Sequence, residues 1–133
     1  MSPIAQVQSI DHVVLTCKSI PDTIAFYTSL GMEHEPFGEG RNALKFGTQK
    51  INLHQAGAEF EPKATLAKPG TADLCFIVST NVDEVLGKLK REGIEILEGG
   101  QVVTRTGARG QLRSVYMRDP DGNLIELSNY TEE

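Results

Sequence analysis

The order strand, turn, helix, glycine, extended segment is written twice in this chain. That repetition limits the folds open to it more than any other feature. The first copy opens on a β-branched run over 10–17, turns at Ser19-Ile20-Pro21-Asp22, reads as helix over about 23–30 and stops at Gly31 before an extended segment at 32–35. The second opens on a strand over 74–78 and turns at Ser79-Thr80-Asn81, a helix-capping sequence. Helical periodicity then runs over 82–91 through Val82, Val85, Leu86 and Leu89, Gly93 stops it, and 94–97 is extended. Gly31 and Gly93 lie 62 residues apart, Asp22 and Asp83 61 apart, so the offset is nearly constant.

Each copy runs on into a hairpin. Residues 43–46 turn at Gly47-Thr48-Gln49 into 50–54, and 112–118 turn at Asp119-Pro120-Asp121-Gly122 into 123–127. Asp-Pro-Asp-Gly is a specific turn signal, because proline presets one dihedral and glycine tolerates positive φ. The expected fold is α+β: two tandem βαβββ modules related by a pseudo-twofold axis. Module one covers 9–55, module two covers 71–130, and the linker 56–70 is rich in Ala, Pro and Gly. Module two also carries an added loop over 99–110 that holds Arg105 and Arg109.

Composition narrows the function classes. A chain of 133 residues with 39% hydrophobic and 23% charged residues can bury a core without a metal or disulfide staple, so a metal here would be functional. A net charge of −5 offers no basic footprint for nucleic acid. No apolar run approaches the roughly 20 residues of a membrane helix, and the N-terminus lacks the pattern of a signal peptide. Cys17 and Cys75 fit no metal spacing and are expected as reduced, packed thiols. The expectation is a cytoplasmic protein acting on a small molecule, with neither nucleic acid nor membrane as partner.

Alternate strand residues face opposite sides of a sheet. Four strands then offer one apolar face and a second face carrying His12, His54, Asp73 or Glu126. His12 and Asp73 read as equivalent in the first strands of the two modules, and His54 and Glu126 as equivalent in the last. Two imidazoles and two carboxylates at matched positions suit Zn²⁺, Ni²⁺, Fe²⁺ or Mn²⁺ with open positions, rather than a closed structural zinc site. Such a centre polarises a bound oxygen. His34 lies outside the matched positions and reads as a surface residue.

The stretches IDHVVLTCKSIPDTIAFYTSLGM at 10–32, ADLCFIV at 72–78 and SVYMRDPDGNLIELSNY at 114–130 resemble the vicinal-oxygen-chelate superfamily. That superfamily includes glyoxalase I, fosfomycin-resistance transferases, extradiol dioxygenases and bleomycin-resistance proteins. VVTRTGARG at 102–110 further resembles a glyoxalase-like, virulence-protein-like subgroup. The resemblance covers nearly the whole chain and implies a divalent metal in a cleft, held from the first and last strands of both modules: here His12, His54, Asp73 and Glu126. His54 stands where glyoxalase I has a Glu, and Asp73, a short carboxylate, where it has a His. The resemblance also implies a homodimer, since an open four-stranded half-barrel leaves edges to cover.

The activity so implied is that of a lactoylglutathione lyase-like metalloenzyme. Glu126 would move a proton between adjacent carbons of an α-oxo thiol adduct, and Arg105, Arg109 and Arg113 would hold an anionic end. Three alternatives stay open: an Fe²⁺ ring-cleaving dioxygenase using His12, His54 and Glu126, a transferase acting on an epoxide antibiotic, and a metal-free binding protein of bleomycin-resistance type. The chain is shorter than the extradiol enzymes, and its lack of Trp limits stacking in a binding groove.

Overall fold

The computed structural model describes residues 3–131. The chain divides after Pro69 into two compact units. The first contains β1 (His12–Cys17), α1 (Ile20–Ser29), β2 (Glu33–Phe37), β3 (Arg41–Phe46) and β4 (Gln49–Gln55). Its sheet has the order β1-β4-β3-β2, with β1 parallel to β4 and the other pairs antiparallel. The second contains β5 (Asp73–Ile77), α2 (Val82–Arg91), a single 3₁₀ turn (Glu98–Gly100), β6 (Val103–Gly107), β7 (Gly110–Arg118) and β8 (Leu124–Tyr130). Its order, β5-β8-β7-β6, repeats the first with the same directions. Each unit is a βαβββ module.

Local chemistry sets the helix ends. Ser19 caps α1 by accepting from Asp22 N–H at 3.2 Å, and Pro21 sits in the first turn, where no intrahelical donor is lost. The helix therefore starts three residues earlier than periodicity alone suggests. Asn81 caps α2 in the same way, with Asp83 and Glu84 in the first turn and Lys88, Lys90 and Arg91 in the last, complementing the helix dipole at both ends.

Each helix covers one sheet face. In unit one Tyr27 packs over the apolar side that buries Leu15, Leu44, Ile51 and Leu53. In unit two Val82 and Leu89 cover Val115, Met117, Ile125 and Leu127. Each such side chain contributes roughly 1.5–3 kcal/mol on full burial. The opposite faces are the polar ones.

One expected strand moves. Residues 94–97 form no strand; Ile96 is buried there, and Leu97 N–H makes a single bond to the Tyr116 carbonyl before Gly99 and Gly100 turn the chain at positive φ. The third hairpin strand is β6, inside the stretch read as an added loop. Its β-branched Val103, Thr104 and Thr106 pair along β7. One thiol also differs from expectation: Cys17 is packed and buried, but Cys75 is exposed because it points from β5 to the polar face. No helix among the described residues is long and apolar enough to cross a membrane.

The turn before β8 is held from inside. Asp119 Oδ1 accepts from Asp121 N–H at 2.9 Å and from Asn123 N–H at 3.0 Å, while Oδ2 accepts from Asn123 Nδ2 at 2.8 Å. Asn123 Oδ1 in turn accepts from Ala72 N–H at 2.8 Å, tying the entry of β5 to this turn.

Candidate functional site

Two amides fix which residues of the modules correspond. In unit one Gln55, at the end of β4, accepts from Ile20 N–H, the first residue of α1, and donates to the carbonyls of Cys17 and Lys18. In unit two Asn129, near the end of β8, accepts from Val82 N–H, the first residue of α2, and donates to the carbonyls of Val78 and Thr80. Gln55 and Asn129, 74 residues apart, are therefore counterparts. Strand pairing agrees: His12 lies opposite Lys50 and Asp73 opposite Leu124, again 74 apart. By this register the counterpart of Glu126 is Asn52, and His54 corresponds to Ser128. The matched pair His54 and Glu126 expected from the sequence is thus out of step by two residues, one full period along the strand. His12 and Asp73 do correspond.

On the polar face of unit one, His54 is 7% exposed and its Nδ1 has no hydrogen-bond partner among the described residues; the Oδ1 of Asn52, two residues before it, is likewise buried and unpaired among them. The His54 ring meets Phe60 edge-on at 5.5 Å, and the Arg41 guanidinium lies 4.2 Å above that phenyl ring. Burial first, then the Arg41 charge, push the imidazole below its ordinary value, with Glu59 opposing, so the ring is neutral near pH 7. His12, at the open end of β1, donates through Nδ1 to Asp11 Oδ1 at 2.8 Å. His34 is exposed, with Nε2 2.8 Å from Asn42 Oδ1.

Unit two gathers more chemistry. Cross-strand pairing puts Cys75, Glu126 and Tyr116 in one row across its polar face, with Asp73, Leu124 and Arg118 in the row beside them. Glu126 Oε2 accepts from the Ser114 hydroxyl at 2.6 Å and the Ser128 hydroxyl at 3.2 Å, and the two hydroxyls are 2.7 Å apart. Cys75 Sγ is 3.4 Å from Ser128 Oγ. Although the residue is exposed overall, loss of water around its sulfur pushes the Cys75 thiol up; the Glu126 charge adds to this and the Ser128 bond opposes it. Burial and then Glu126 push the Tyr116 phenol up as well, so it stays protonated. Beside Tyr116 lies a cavity of about 330 Å³, lined by Leu97, Glu98, Arg105, Tyr116, Arg118 and Leu124.

The three arginines singled out in the sequence separate. Arg105 lines this cavity, its guanidinium 5.3 Å from the Tyr116 ring centroid. Arg109 stacks on Tyr130 at 4.3 Å. Arg113 makes a two-pronged bond to Asp83 at 2.9 and 3.0 Å, clamping α2 to β7. That guanidinium holds the Asp83 carboxyl below the ordinary aspartate range. Because the folded value is depressed, the pair stabilises the fold above the ordinary range, and the contribution fades as pH falls through the lowered value. Arg113→Ala is expected to return the Asp83 carboxyl toward its ordinary value, as read by a ¹³C-carboxyl titration.

Sequence reading missed Asn52, Ser114, Ser128, Tyr116 and Arg118. Alternation along 114–118 places Ser114, Tyr116 and Arg118 on one face, and the paired amides Gln55 and Asn129 were the signal for Asn52. A divalent cation of the kind expected takes three or more protein donors. Unit one offers two imidazoles, His12 and His54, around a neutral Asn52; unit two offers two carboxylates, Asp73 and Glu126. No group of three or more His, Cys, Asp and Glu side chains gathers among the described residues. The donors of neither unit by itself fit such a cation.

Two βαβββ modules with helices on one face and polar residues on the other define a glyoxalase-type fold. The chain belongs to the Glyoxalase/Bleomycin resistance protein/Dioxygenase superfamily, whose family model matches residues 9–127. It is 53% identical over 126 residues to the glyoxalase domain-containing protein RDO1 of Mycosarcoma maydis, covering 95% of this chain and 70% of that protein. It is 54% identical over 125 residues to virulence protein STM3117 of Salmonella typhimurium, covering 93% and 85%. The crystal structure of STM3117 superposes with a TM-score of 0.92 at 52% identity, covering 96% of this chain and 100% of that one. A lactoylglutathione lyase from Agrobacterium tumefaciens shares the fold, with a TM-score of 0.70 at 22% identity over 94% and 96% of the two chains.

Proposed function

We propose that this chain is a cytoplasmic glyoxalase-like lyase or isomerase, acting on a small α-oxo compound or its thiol adduct that carries an anionic end. The observation that carries this reading is a carboxylate, Glu126, held in one orientation by two serine hydroxyls, one row from a cavity walled by Arg105 and Arg118. A cavity of about 330 Å³ falls at the lower end of the range for small-molecule sites.

On the thiol adduct, Glu126 takes the proton from the hydroxyl-bearing carbon beside the carbonyl, and the C–H pair forms a C=C bond as the carbonyl π pair passes to its oxygen. The proton then returns to the former carbonyl carbon, while the hydroxyl proton passes to that oxygen and the carbon that bore it becomes the thioester carbonyl. Substrate and product are isomers, so the step needs no further reactant. The Ser114 and Ser128 hydroxyls favour the charged carboxylate and fix its aim. Tyr116, kept protonated, is a donor for the oxygen on which charge develops. Arg118 anchors the anionic end. The homodimer belongs to the same reading, and a second copy would cover Val14 and Ile77, apolar and 46% and 53% exposed.

The test is turnover of methylglyoxal with a thiol. It is run before and after dialysis against a chelator, with Ni²⁺, Zn²⁺, Mn²⁺ or Fe²⁺ then restored. Isomerisation to the hydroxyacyl thioester is expected, with metal dependence read directly from the restored samples. Arg118→Ala should raise KM by about 10–100-fold, the worth of one charge-assisted contact, with a smaller effect on kcat. Sedimentation should give twice the 14.5 kDa chain mass. A folded protein that turns over nothing under any of these conditions would overturn the catalytic reading.

A further inference from the structure

Glu98 stands in a backbone conformation that side chains rarely adopt. Its φ is 55°, and it is followed by Gly99 and Gly100 at 80° and 75°. It is the one non-glycine residue with positive φ among the described residues. Such strain persists only where the surroundings hold it. Here Glu98 Oε1 accepts from Arg105 Nη2 at 2.6 Å, while Arg105 Nη1 donates to the Thr104 carbonyl at 2.8 Å. The strained turn therefore delivers a carboxylate to an arginine on the wall of the cavity.

The charges on that wall can be counted. Arg105 and Glu98 cancel. Arg118 forms no salt bridge among the described residues, and Leu97 and Leu124 supply apolar wall. One net positive charge remains. We propose that the cavity selects a singly charged anion with a small apolar body, such as a monocarboxylate, and that Glu98 determines this selectivity by consuming Arg105. A dianion would place its second charge against the Glu98 carboxylate, and the repulsion within a few ångströms is large enough to discriminate.

This inference rests on the cavity being the anion subsite of the proposed reaction, but its test reads binding without turnover. Lactate and malonate are titrated at fixed ionic strength into the wild-type chain, Glu98→Gln, Glu98→Gly and Arg118→Ala, followed by NMR of the arginine Nε–H and Tyr116 ring signals. Wild type should prefer lactate. Glu98→Gln should shift the malonate-to-lactate affinity ratio about tenfold toward malonate, because Arg105 is released. Glu98→Gly, which also relieves the backbone, should give the same shift should the glutamine variant fold poorly. Arg118→Ala should lose both ligands. An unchanged ratio in both Glu98 variants, lactate binding that survives Arg118→Ala, or no binding of either probe overturns the proposal. Lactate binding through Arg118 without turnover of any substrate would instead remove the catalytic reading and leave this one standing.

Discussion

Glu126→Gln should lower turnover by about 10²–10⁴-fold, the range for removal of a general base, while the melting temperature stays close to that of wild type. The carboxamide is nearly the same shape as the carboxylate. Its oxygen can accept from the Ser114 and Ser128 hydroxyls as Oε2 does now at 2.6 and 3.2 Å. What is lost is the ability to carry a proton. Glu126 also lies on the polar face of β8, away from Ile125 and Leu127, which pack under α2, so the core is untouched. The measurement is kcat and KM alongside a thermal melt. Equal losses in kcat and kcat/KM mark a group acting in the transition state. A large fall in melting temperature would show instead that the Glu126–Ser114–Ser128 cluster is structural.

The larger effect on stability is expected at Asp119. Its two oxygens accept from Asp121 N–H, Asn123 N–H and Asn123 Nδ2, and both Asp119 and Asn123 are almost fully buried. Asp119→Ala strands those donors, each at about 1–3 kcal/mol, so a loss of about 3–5 kcal/mol is expected after partial relaxation. That is a large share of the 5–15 kcal/mol typical of a whole domain. Asn123 also receives Ala72 N–H, so loosening it should free the entry of β5. Chemical denaturation gives the midpoint, and hydrogen exchange at Ala72 and Leu124 should report the local opening. A change in midpoint no larger than that of an ordinary surface substitution would mean the turn is held by its Pro-Gly backbone alone.

Much of the architecture was written locally. The capping residues Ser19 and Asn81, the glycines that end both helices and the Asp-Pro-Asp-Gly turn each act over three or four residues. Their order therefore displays two βαβββ units without any knowledge of contacts. The strand at 103–107 was harder, because Thr104 and Arg105 look like loop residues until Arg113 and Leu112 are set opposite them. Reading 94–97 as the strand failed because apolar alternation fits any segment with one buried side chain, and Ile96 is one.

The polar faces were legible in part. His12, Asp73 and Glu126 follow from period-two alternation, which decides the face a side chain takes. Position along the strand is another matter. A slip of two residues preserves the face, so His54 and Asn52 were equally good partners for Glu126 until Gln55 and Asn129 were seen tying each helix to its sheet. Arg113 and Arg118, five residues apart on β7, fall on opposite faces by the same alternation, but that the Arg113 face meets α2 and the Arg118 face lines a cavity was seen only in the folded chain.

The sequence by itself determined the duplicated module, the faces of its strands and the family to which the chain belongs, because those depend on near neighbours in the chain. Tertiary structure alone decided the register between the copies, the strained turn at Glu98 and which arginine faces the cavity. Those depend on bonds between separate elements, from Glu98 to Arg105 seven residues on, to Gln55 and Asn129 reaching back several dozen, and no local periodicity can detect them.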